Sequence, residues 1–362
     1  MNIYMFMRRP RLTAPEHVDH ALYHCMSRVV DRRKVLGEAE KEQFVRLMRL
    51  YEKLYGLRVV TFCVMSNHFH ILVEVPRRPA GLPTNEELLR LIGQTHGEGM
   101  AQRVADWFQR WEDQGNPAMI EAERERWFAQ MWNVSAFMKV LKQRFSQWYN
   151  RRQPVRRTGT LWEERFRSVL VENGQALQTM AAYIDLNPVR AGLTKDPKDY
   201  RWSGYGEACA GLTLAQAGLL RAAQASHPAR GTATDDPRDA AFDVLGWYRE
   251  QLYGRGQETH DAEGRVVRCG FTEEEIQAVC DAGGRLPAHA YLRLRVRYFT
   301  DGAILGSQAF LESVFHARRQ LFSAKRQTAA RRLQGLDLDS PLRTARALAV
   351  SPTEHRRRAE TP

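Results

Sequence analysis

Hydrophobic residues in the first part of the chain follow patterns that predict strands and an amphipathic helix. Residues 21–28 alternate in polarity as a strand does, and residues 59–75 form an apolar, β-branched and aromatic run typical of a strand in a covered sheet. Between them, apolar residues recur at helical spacing over 38–55, with Gly56 just beyond as a stop signal. This strand–helix–strand order opens a ferredoxin-like half, so we expect an α+β fold with an antiparallel sheet.

The pattern beyond the second strand predicts an insertion followed by the rest of this core. A mostly polar helical region over about 77–132 carries four tryptophans, which we interpret as packing residues. A helix is predicted over 134–150 and a strand over 165–171. Another helix follows, capped at its start by Asn173 and ended by Pro188. We therefore expect the order β-α-β, insertion, α-β-α, with one further strand not located.

The chain beyond a core of residues 1–211 divides into three predicted segments. Residues 212–240 are rich in Ala, Gly, Thr and Pro, which predicts a loosely structured connector with a short helix. Residues 241–336 predict a small helical domain, interpreted either as a DNA-gripping helix-turn-helix or as a structural cap. Within it, helices are predicted over 273–281 and 308–322, with a hairpin or tight turn at 298–305. Residues 337–362 are polar and basic, which predicts a disordered tail.

Composition narrows the class of protein without identifying its function. A formal net charge of +12 and an isoelectric point near 9.7 favour a polyanionic partner, most simply nucleic acid. The five cysteines are scattered without a Cys-x-x-Cys pair, which fits reduced thiols in a cytoplasm and argues against a zinc finger. No apolar run approaches the length of a membrane span. We expect a cytoplasmic, nucleoid-associated protein with no membrane partner.

Two histidines in the second predicted strand are the first candidate site residues. His68 and His70 lie two apart, so their side chains share one face of the strand while Phe69 points to the opposite face. Two imidazoles side by side on a rigid strand make half of a divalent-metal site. The alternative is a surface pair or a packed, hydrogen-bonded histidine.

A tyrosine and an asparagine share a face of the helix that follows Asn173. Tyr183 and Asn187 are four residues apart, so a phenol nucleophile and a carboxamide ligand leave the helix together. The alternative is a tyrosine that packs on a neighbour and an asparagine that only terminates the helix.

These motifs together resemble a known family. His68-Phe69-His70 resembles the His-hydrophobic-His motif of the HUH nucleases. Residues 183–192, Tyr-Ile-Asp-Leu-Asn-Pro-Val-Arg-Ala-Gly, resemble the tyrosine helix of their single-tyrosine branch, the IS200-like transposases, and above all the REP-associated tyrosine transposases. Tyr23–Arg28 and Leu161–Phe166 are also similar to segments of that family. The resemblance covers about residues 21–211.

The resemblance implies a metal-dependent transposase or endonuclease with a ferredoxin-like HUH core. Tyr183 is then the nucleophile that forms a 5′-phosphotyrosine, and His68, His70 and Asn187 hold Mg²⁺ or Mn²⁺. Imidazole ligands favour Mn²⁺ or a later metal. The implied substrate is single-stranded DNA beside a REP-like palindromic hairpin, and the implied active form is a monomer or a homodimer.

Basic residues in and around these motifs are the candidates for contact with DNA. Four arginines lie in the loop 151–159, and two basic residues precede it on the predicted helix. Such side chains would hold phosphates, although a solvated linker is the alternative for the loop. The candidate DNA-binding residues are Arg28, Lys142, Arg144, Arg151, Arg152, Arg156, Arg157, Arg165 and Arg190.

Two rival functions follow from the same sequence. A replication-initiator or relaxase-like nickase shares the HUH chemistry, but such proteins usually carry a helicase or a third histidine close to the pair, and the sequence has neither signal. A DNA- or RNA-binding regulator on a ferredoxin-like scaffold has no catalysis, and its binding would survive loss of Tyr183.

Overall fold

The computed structural model describes most of the chain up to residue 225 and separate segments beyond it. The described residues are 12–15, 18–154, 159–225, 244–255, 259–260, 266–268, 272, 274, 297–300, 302–323, 326–328, 330–333 and 342–346. The strands are β1 His20–Arg28, β2 Arg58–Val64, β3 His68–Pro76, β4 Arg167–Val171, β5 Thr259–His260, β6 Val266–Arg268, β7 Gly302–Gly306, β8 Arg331–Arg332 and β9 Arg343–Arg346. The helices are α1 Glu38–Leu54, α2 Asn85–His96, α3 Glu98–Asp113, α4 Pro117–Phe128, α5 Val134–Arg151, α6 Gln175–Asp185, α7 Asn187–Arg190, α8 Gly204–Cys209, α9 Thr213–Gln224, α10 Val244–Arg255, α11 Arg297–Thr300 and α12 Gln308–Ala317.

A seven-stranded sheet in the order β2-β3-β1-β4-β7-β9-β8 organises the described chain. Its first four strands pair antiparallel, with α1 between β1 and β2 and α5 before β4. That is the β-α-β-β-α-β arrangement of a ferredoxin-like fold. The predicted α+β class is confirmed.

The apolar run 59–75 is two strands rather than one. It is interrupted at Met65, whose backbone N–H donates to the carbonyl of His68 at 2.8 Å and closes a tight connection. The strands β2 and β3 therefore form an antiparallel hairpin. The bend itself is polar, at Ser66, Asn67 and His68, whereas the strands on both sides of it are apolar because helices cover both of their faces. This hairpin supplies the strand that the sequence left unlocated.

The two faces of the sheet are buried under different helices. On one face Phe69 packs against Phe44 of α1, with ring centroids 4.5 Å apart, and Phe145 of α5 packs on Phe44 at 5.3 Å. On the other face Leu72, three residues after Phe69 on β3, is fully buried in the same core layer as Leu177 of α6. The alternation predicted for this strand is thus how the sheet is packed.

The insertion between β3 and α5 consists of the three helices α2, α3 and α4. Trp111, Trp127 and Trp132 are partly buried against the core beneath α1 and α5, as predicted for packing residues. Trp107 is the exception, with 37% of its surface exposed.

Several described segments beyond residue 211 are built into the core, which differs from the predicted loose connector and separate helical domain. Helix α9, within the predicted connector, lies directly on β2. Strand β7 extends the sheet by pairing parallel with β4, and β9 pairs antiparallel with β7. The physical reason is burial, because Ile304 and Leu305 of β7 are fully covered on opposite faces of the sheet.

Several finer expectations fall in the same region. The described residues of the segment 298–305 belong to α11 and β7 instead of a hairpin, and Asp301 of the predicted turn lies outside the described residues. The helix predicted over 308–322 starts as expected, with the Ser307 hydroxyl accepting from the N–H of Phe310, but ends at Ala317. Strand β9 falls within the tail predicted to be disordered. The helix predicted over 273–281 lies outside the described residues except for Glu274, so the helix-turn-helix stays a prediction. Among the helices described, none is long and apolar enough to cross a membrane.

Candidate histidine and tyrosine active site

The two predicted histidines lie together at the start of β3. The rings of His68 and His70 have centroids 5.0 Å apart and are nearly perpendicular, at 86°. They share the face of the sheet that α6 covers, opposite Phe69. His70 is buried, with 1% of its surface exposed, and His68 is partly buried.

Helix α6 brings the predicted nucleophile to this pair. The ring of Tyr183 lies 5.7 Å from that of His70, centroid to centroid, and meets it edge-on at 86°. Phe299 of α11 stacks on the tyrosine ring at 4.4 Å, and the guanidinium of Arg190 lies 4.8 Å from the ring centroid. With these neighbours Tyr183 is only 3% exposed.

Asn187 holds the carboxyl end of the tyrosine helix. Its side-chain amide N–H groups donate to the carbonyls of Tyr183, at 2.9 Å, and Ile184, at 3.2 Å. This satisfies carbonyls that the end of a helix leaves without partners. The predicted terminating role is therefore observed, and the side-chain oxygen is the atom left for a ligand role.

The start of the same helix differs from the prediction. Gly174, with a φ of 87°, is the N-cap residue of α6. The side-chain oxygen of Asn173 instead accepts from the guanidinium of Arg221 on α9, at 3.1 Å. A tertiary contact from a distant helix has replaced the local cap.

A third histidine, which sequence reasoning did not single out, completes the cluster. His24 of β1 stacks on His70 with centroids 5.1 Å apart, and a hydrogen bond of 2.9 Å links His24 Nε2 to His70 Nδ1. The other ring nitrogen, Nδ1, is 2.9 Å from the carbonyl oxygen of Phe299. His24 lies in the segment Tyr23–Arg28 that resembles the transposase family. That resemblance is the one signal in the sequence that could have identified His24 as a site residue.

Burial keeps the three imidazoles neutral. Desolvation lowers the pKa of His24 to about 4. Desolvation, with the Arg28 charge as a smaller cause, lowers the pKa of His68 to about 4. Burial also holds the pKa of His70 well below its ordinary value, helped by its histidine neighbours and by Arg28 and Arg190. Neutral imidazole is the form that binds metal ions.

The donor atoms of the histidine pair fit a divalent ion. The Nδ1 atoms of both rings are engaged, that of His68 with the side-chain oxygen of Asn67 at 2.6 Å and that of His70 with His24. The two Nε2 atoms are therefore the ones available as ligands. Within the described chain, no group of three or more His, Cys, Asp or Glu side chains is arranged to hold a metal. Among the described residues, a third ligand would be of another type, such as the Asn187 oxygen.

The predicted DNA-binding residues divide into those near this site and those away from it. Arg28 pairs with His68 across β1 and β3, and Arg190 covers Tyr183. Lys142 donates to the carbonyl of Glu164 at 2.8 Å. Trp162, two residues before Glu164, pairs with Val29, the residue that follows the end of β1.

The remaining candidates lie on α5 and the loop after it. Arg144 contacts Tyr51 on α1, which covers the opposite face of the sheet from Tyr183. Arg151 and Arg152 are exposed at the end of α5, where Arg152 lies over the ring of Trp148. Arg165 is exposed after the same loop. Two further candidates, Arg156 and Arg157, lie outside the described residues.

Comparison with known proteins supports the resemblance. Residues 17–80 match the family model described as Transposase IS200 like, a stretch that includes β1, α1 and the histidine strand. The predicted relationship to the IS200-like transposases is confirmed for this segment, and it indicates a transposase. Comparison with curated proteins gave no match.

Two solved structures are similar at low identity. One is a REP-associated tyrosine transposase bound to a REP hairpin, similar over 57% of this chain and 87% of that chain, with 13% identity and a TM-score of 0.35. The other is a candidate transposase from Deinococcus radiodurans R1, similar over 44% of this chain and 85% of that chain, with 16% identity and a TM-score of 0.24.

Proposed function

We propose that this chain, whose residues 17–80 carry the IS200-like transposase match, cleaves and rejoins single-stranded DNA through a covalent bond to Tyr183. One observation carries the proposal. Tyr183 from α6 and His70 from β3 meet with ring centroids 5.7 Å apart, and His68 lies 5.0 Å from His70, although more than a hundred residues separate the tyrosine from the histidines in sequence. A nucleophile beside two neutral imidazoles is the arrangement that metal-assisted phosphoryl transfer needs.

The reaction is a transesterification in which the number of phosphoester bonds stays constant. The Tyr183 phenol oxygen loses its proton and bonds to phosphorus, while the bond from phosphorus to the 3′ oxygen of the preceding nucleotide breaks. The products are a 5′-phosphotyrosine and a free 3′-hydroxyl. Because the bond energy is kept in the phosphotyrosine, a 3′-hydroxyl can attack it and rejoin a strand without a nucleotide cofactor.

The other residues of the site hold and neutralise the phosphate. His68 and His70 through Nε2, and Asn187 through its side-chain oxygen, are the residues that would hold Mg²⁺ or Mn²⁺. Such an ion, when bound, polarises the scissile phosphate and offsets its charge. Arg28 beside His68 and Arg190 beside Tyr183 add positive charge where the phosphate must lie.

Access to the nucleophile requires a local rearrangement. Tyr183 is 3% exposed beneath the ring of Phe299, so a phosphate in DNA cannot reach the phenol while that stack is closed. The same burial favours a second candidate function, a regulator that binds DNA or RNA without cleaving it. The two candidates differ in whether the protein ever becomes covalently attached to DNA.

The proposed substrate is single-stranded DNA beside a palindromic hairpin. The family resemblance of residues 183–192 supports this form, and the net charge of +12 suits a polyanion. One nucleophilic tyrosine reaches one exposed phosphate, which is more accessible in a single strand than in a duplex. Phosphate contacts would position the strand, and contacts to bases would give specificity.

The test is a covalent-adduct assay with the full-length protein. Single-stranded hairpin oligonucleotides from the palindromes flanking the gene, labelled at the 5′ or the 3′ end, are incubated with Mn²⁺ or Mg²⁺ and resolved on denaturing gels. We expect the 3′-side label to move to the size of the protein, and this band to vanish in Tyr183→Phe and without metal. Binding measured by anisotropy should change by no more than about twofold in Tyr183→Phe, because only a hydroxyl is lost.

The matched control is Tyr149→Phe, since Tyr149 is a buried tyrosine of α5 in the other core layer. It should form the adduct at the wild-type level. Binding to several flanking hairpins with no adduct in the wild-type protein would contradict the proposal and favour the regulator.

A further inference from the structure

A chain of hydrogen bonds runs from Phe299 of α11, through His24, to His70 of the histidine pair. The carbonyl oxygen of Phe299 lies 2.9 Å from His24 Nδ1, and His24 Nε2 lies 2.9 Å from His70 Nδ1. His24 is on β1, His70 is on β3, and 275 residues separate His24 from Phe299. Three distant segments of the chain thus meet in one line of polar atoms.

The direction of each bond follows from the chemistry of its atoms. A backbone carbonyl only accepts, so His24 Nδ1 must carry the proton that it donates to Phe299. In a neutral ring the second nitrogen is then bare, so His24 Nε2 accepts from His70 Nδ1. His70 is left with its lone pair on Nε2, the atom that a metal ion would use.

The alternative proton arrangement needs a charged ring. His70 could carry its proton on Nε2 only if His24 held protons on both nitrogens and donated from both. His24 is 1% exposed, and the polar atoms described beside it are the Phe299 carbonyl and the His70 ring. An imidazolium buried there, with no carboxylate among the described residues that contact it, is costly.

We propose that His24 is a positioning residue that fixes the Nδ1–H tautomer of His70 and so directs the His70 Nε2 lone pair at a divalent ion. The inference rests on the proposed function for the presence of that ion. It goes beyond it in assigning a role to His24 and to the Phe299 carbonyl, neither of which would touch the metal or the DNA. Histidine ligands in metal sites commonly depend on such a partner for their tautomer.

The tautomer of His68, the other histidine of the pair, is fixed in the same way by its neighbour in sequence, Asn67. His68 Nδ1 is 2.6 Å from the side-chain oxygen of Asn67, and the Asn67 amide group donates to the carbonyl of Arg32 at 2.9 Å. This orientation of the amide makes His68 Nδ1 the donor and leaves its Nε2 bare. Both rings therefore present the same nitrogen, one set by a neighbour in sequence and one by β1.

The first measurement is the tautomer itself in the metal-free protein. Wild-type protein labelled with ¹⁵N in histidine is examined by two-bond ¹⁵N–¹H correlation, with His70→Ala to assign the His70 signals. We expect a protonated Nδ1 and a bare Nε2 for His70 in the wild type, and a mixture of tautomers in His24→Leu. A wild-type His70 protonated on Nε2 would falsify the inference.

The second measurement is Mn²⁺ affinity by isothermal titration calorimetry. His24→Leu should bind Mn²⁺ about 10–100-fold more weakly than the wild type. His24→Gln should recover most of the affinity, because its side-chain oxygen can accept near the position of the lost Nε2. The matched control is His20→Leu, an exposed histidine on the same strand, which should bind as the wild type does.

The outcomes separate this inference from the proposed function. Equal Mn²⁺ affinity in His24→Leu and the wild type overturns the role of His24 while leaving the metal site intact. A wild-type protein that binds no Mn²⁺ counts against the proposed metal chemistry, and the ¹⁵N measurement then still decides whether His24 fixes the tautomer. Circular dichroism of His24→Gln and His24→Leu checks that both fold.

Discussion

At the scale of single residues, the tyrosine helix α6 directs neighbouring side chains to different tasks. Tyr183 faces the histidines, whereas Asp185, two residues later, is fully buried against β2, α8 and α10. Its carboxylate accepts from the hydroxyls of Thr61 at 2.7 Å and Tyr248 at 2.6 Å, and from the backbone N–H of Tyr205 at 3.1 Å. These bonds fix the helix that carries the nucleophile.

Asp185 makes stability depend on pH in a direction opposite to most carboxylates. Burial, outweighing these three hydrogen bonds, raises the pKa of Asp185 to about 6 from an ordinary 3.8. The folded state therefore binds this proton more tightly than the unfolded chain, and the stabilisation present below the unfolded pKa is lost as pH rises through 6. The free energy of unfolding of the wild type, relative to Asp185→Asn, should fall by about 2 kcal/mol between pH 4 and pH 7.

Urea denaturation at a series of pH values measures this difference. Asp199→Asn, which removes an exposed carboxylate, is the control and should differ from the wild type by a nearly constant amount. If the Asp185→Asn curve runs parallel to that of the wild type, the carboxyl group does not titrate in this range.

At the scale of elements, the close approach of α9 to β2 depends on one glycine. Gly218 lies mid-helix, where alanine is ordinarily the more stable residue by about 1 kcal/mol. A Cβ at Gly218 would meet the carbonyl oxygens of Val60 and Val59, the latter at 2.8 Å. Because these are backbone atoms of strand β2, they cannot move aside as a flexible side chain would.

We therefore expect Gly218→Ala to destabilise the protein, by about 1–3 kcal/mol. The unfolding midpoint in urea measures the effect. Gly99→Ala on α3 is the matched control, since a Cβ there meets open space, and it should be neutral or slightly stabilising. A Gly218→Ala protein as stable as the wild type would mean that α9 does not sit on β2 at this distance.

At the scale of the whole molecule, α11 and β7 belong to the same core as the candidate site. Leu305 of β7 is fully buried in the layer that contains α6, and Phe299 contacts both Tyr183 and His24. The eight tryptophans all precede β7 in sequence, between residues 107 and 247. Their fluorescence therefore reports on the rest of the fold without probing β7 itself.

Leu305→Ala should lower the unfolding free energy followed by tryptophan fluorescence by about 2–5 kcal/mol, because it opens a cavity in a shared core. Gln308→Ala, an exposed position just after β7, should leave the transition unchanged. A Leu305→Ala protein with a wild-type tryptophan transition would indicate that the segment folds as a separate unit, as the sequence alone suggested.

The sequence by itself determined the features that depend on residues close together in the chain, namely strand alternation, helix bounds and helix caps. Alternation set the face shared by His68 and His70 and sent Phe69 into the opposite core layer, because side chains on a strand alternate by geometry alone. The bounds of α1 and α5 agree with the predicted helices to within a residue or so for the same reason. Local capping likewise predicted Ser307 correctly, but Asn173 incorrectly, where Arg221 competes for its oxygen.

Only the tertiary structure decided how distant segments meet. The bend after Met65 is marked in the sequence only by Ser66 and Asn67, because burial keeps the strands on both sides of it apolar. The place of β7 in the sheet and of Phe299 on the tyrosine depends on pairing across more than a hundred residues, which no local pattern encodes. His24 could be found only from the register of β1 against β3, since its partners are supplied by the fold rather than by its neighbours in sequence.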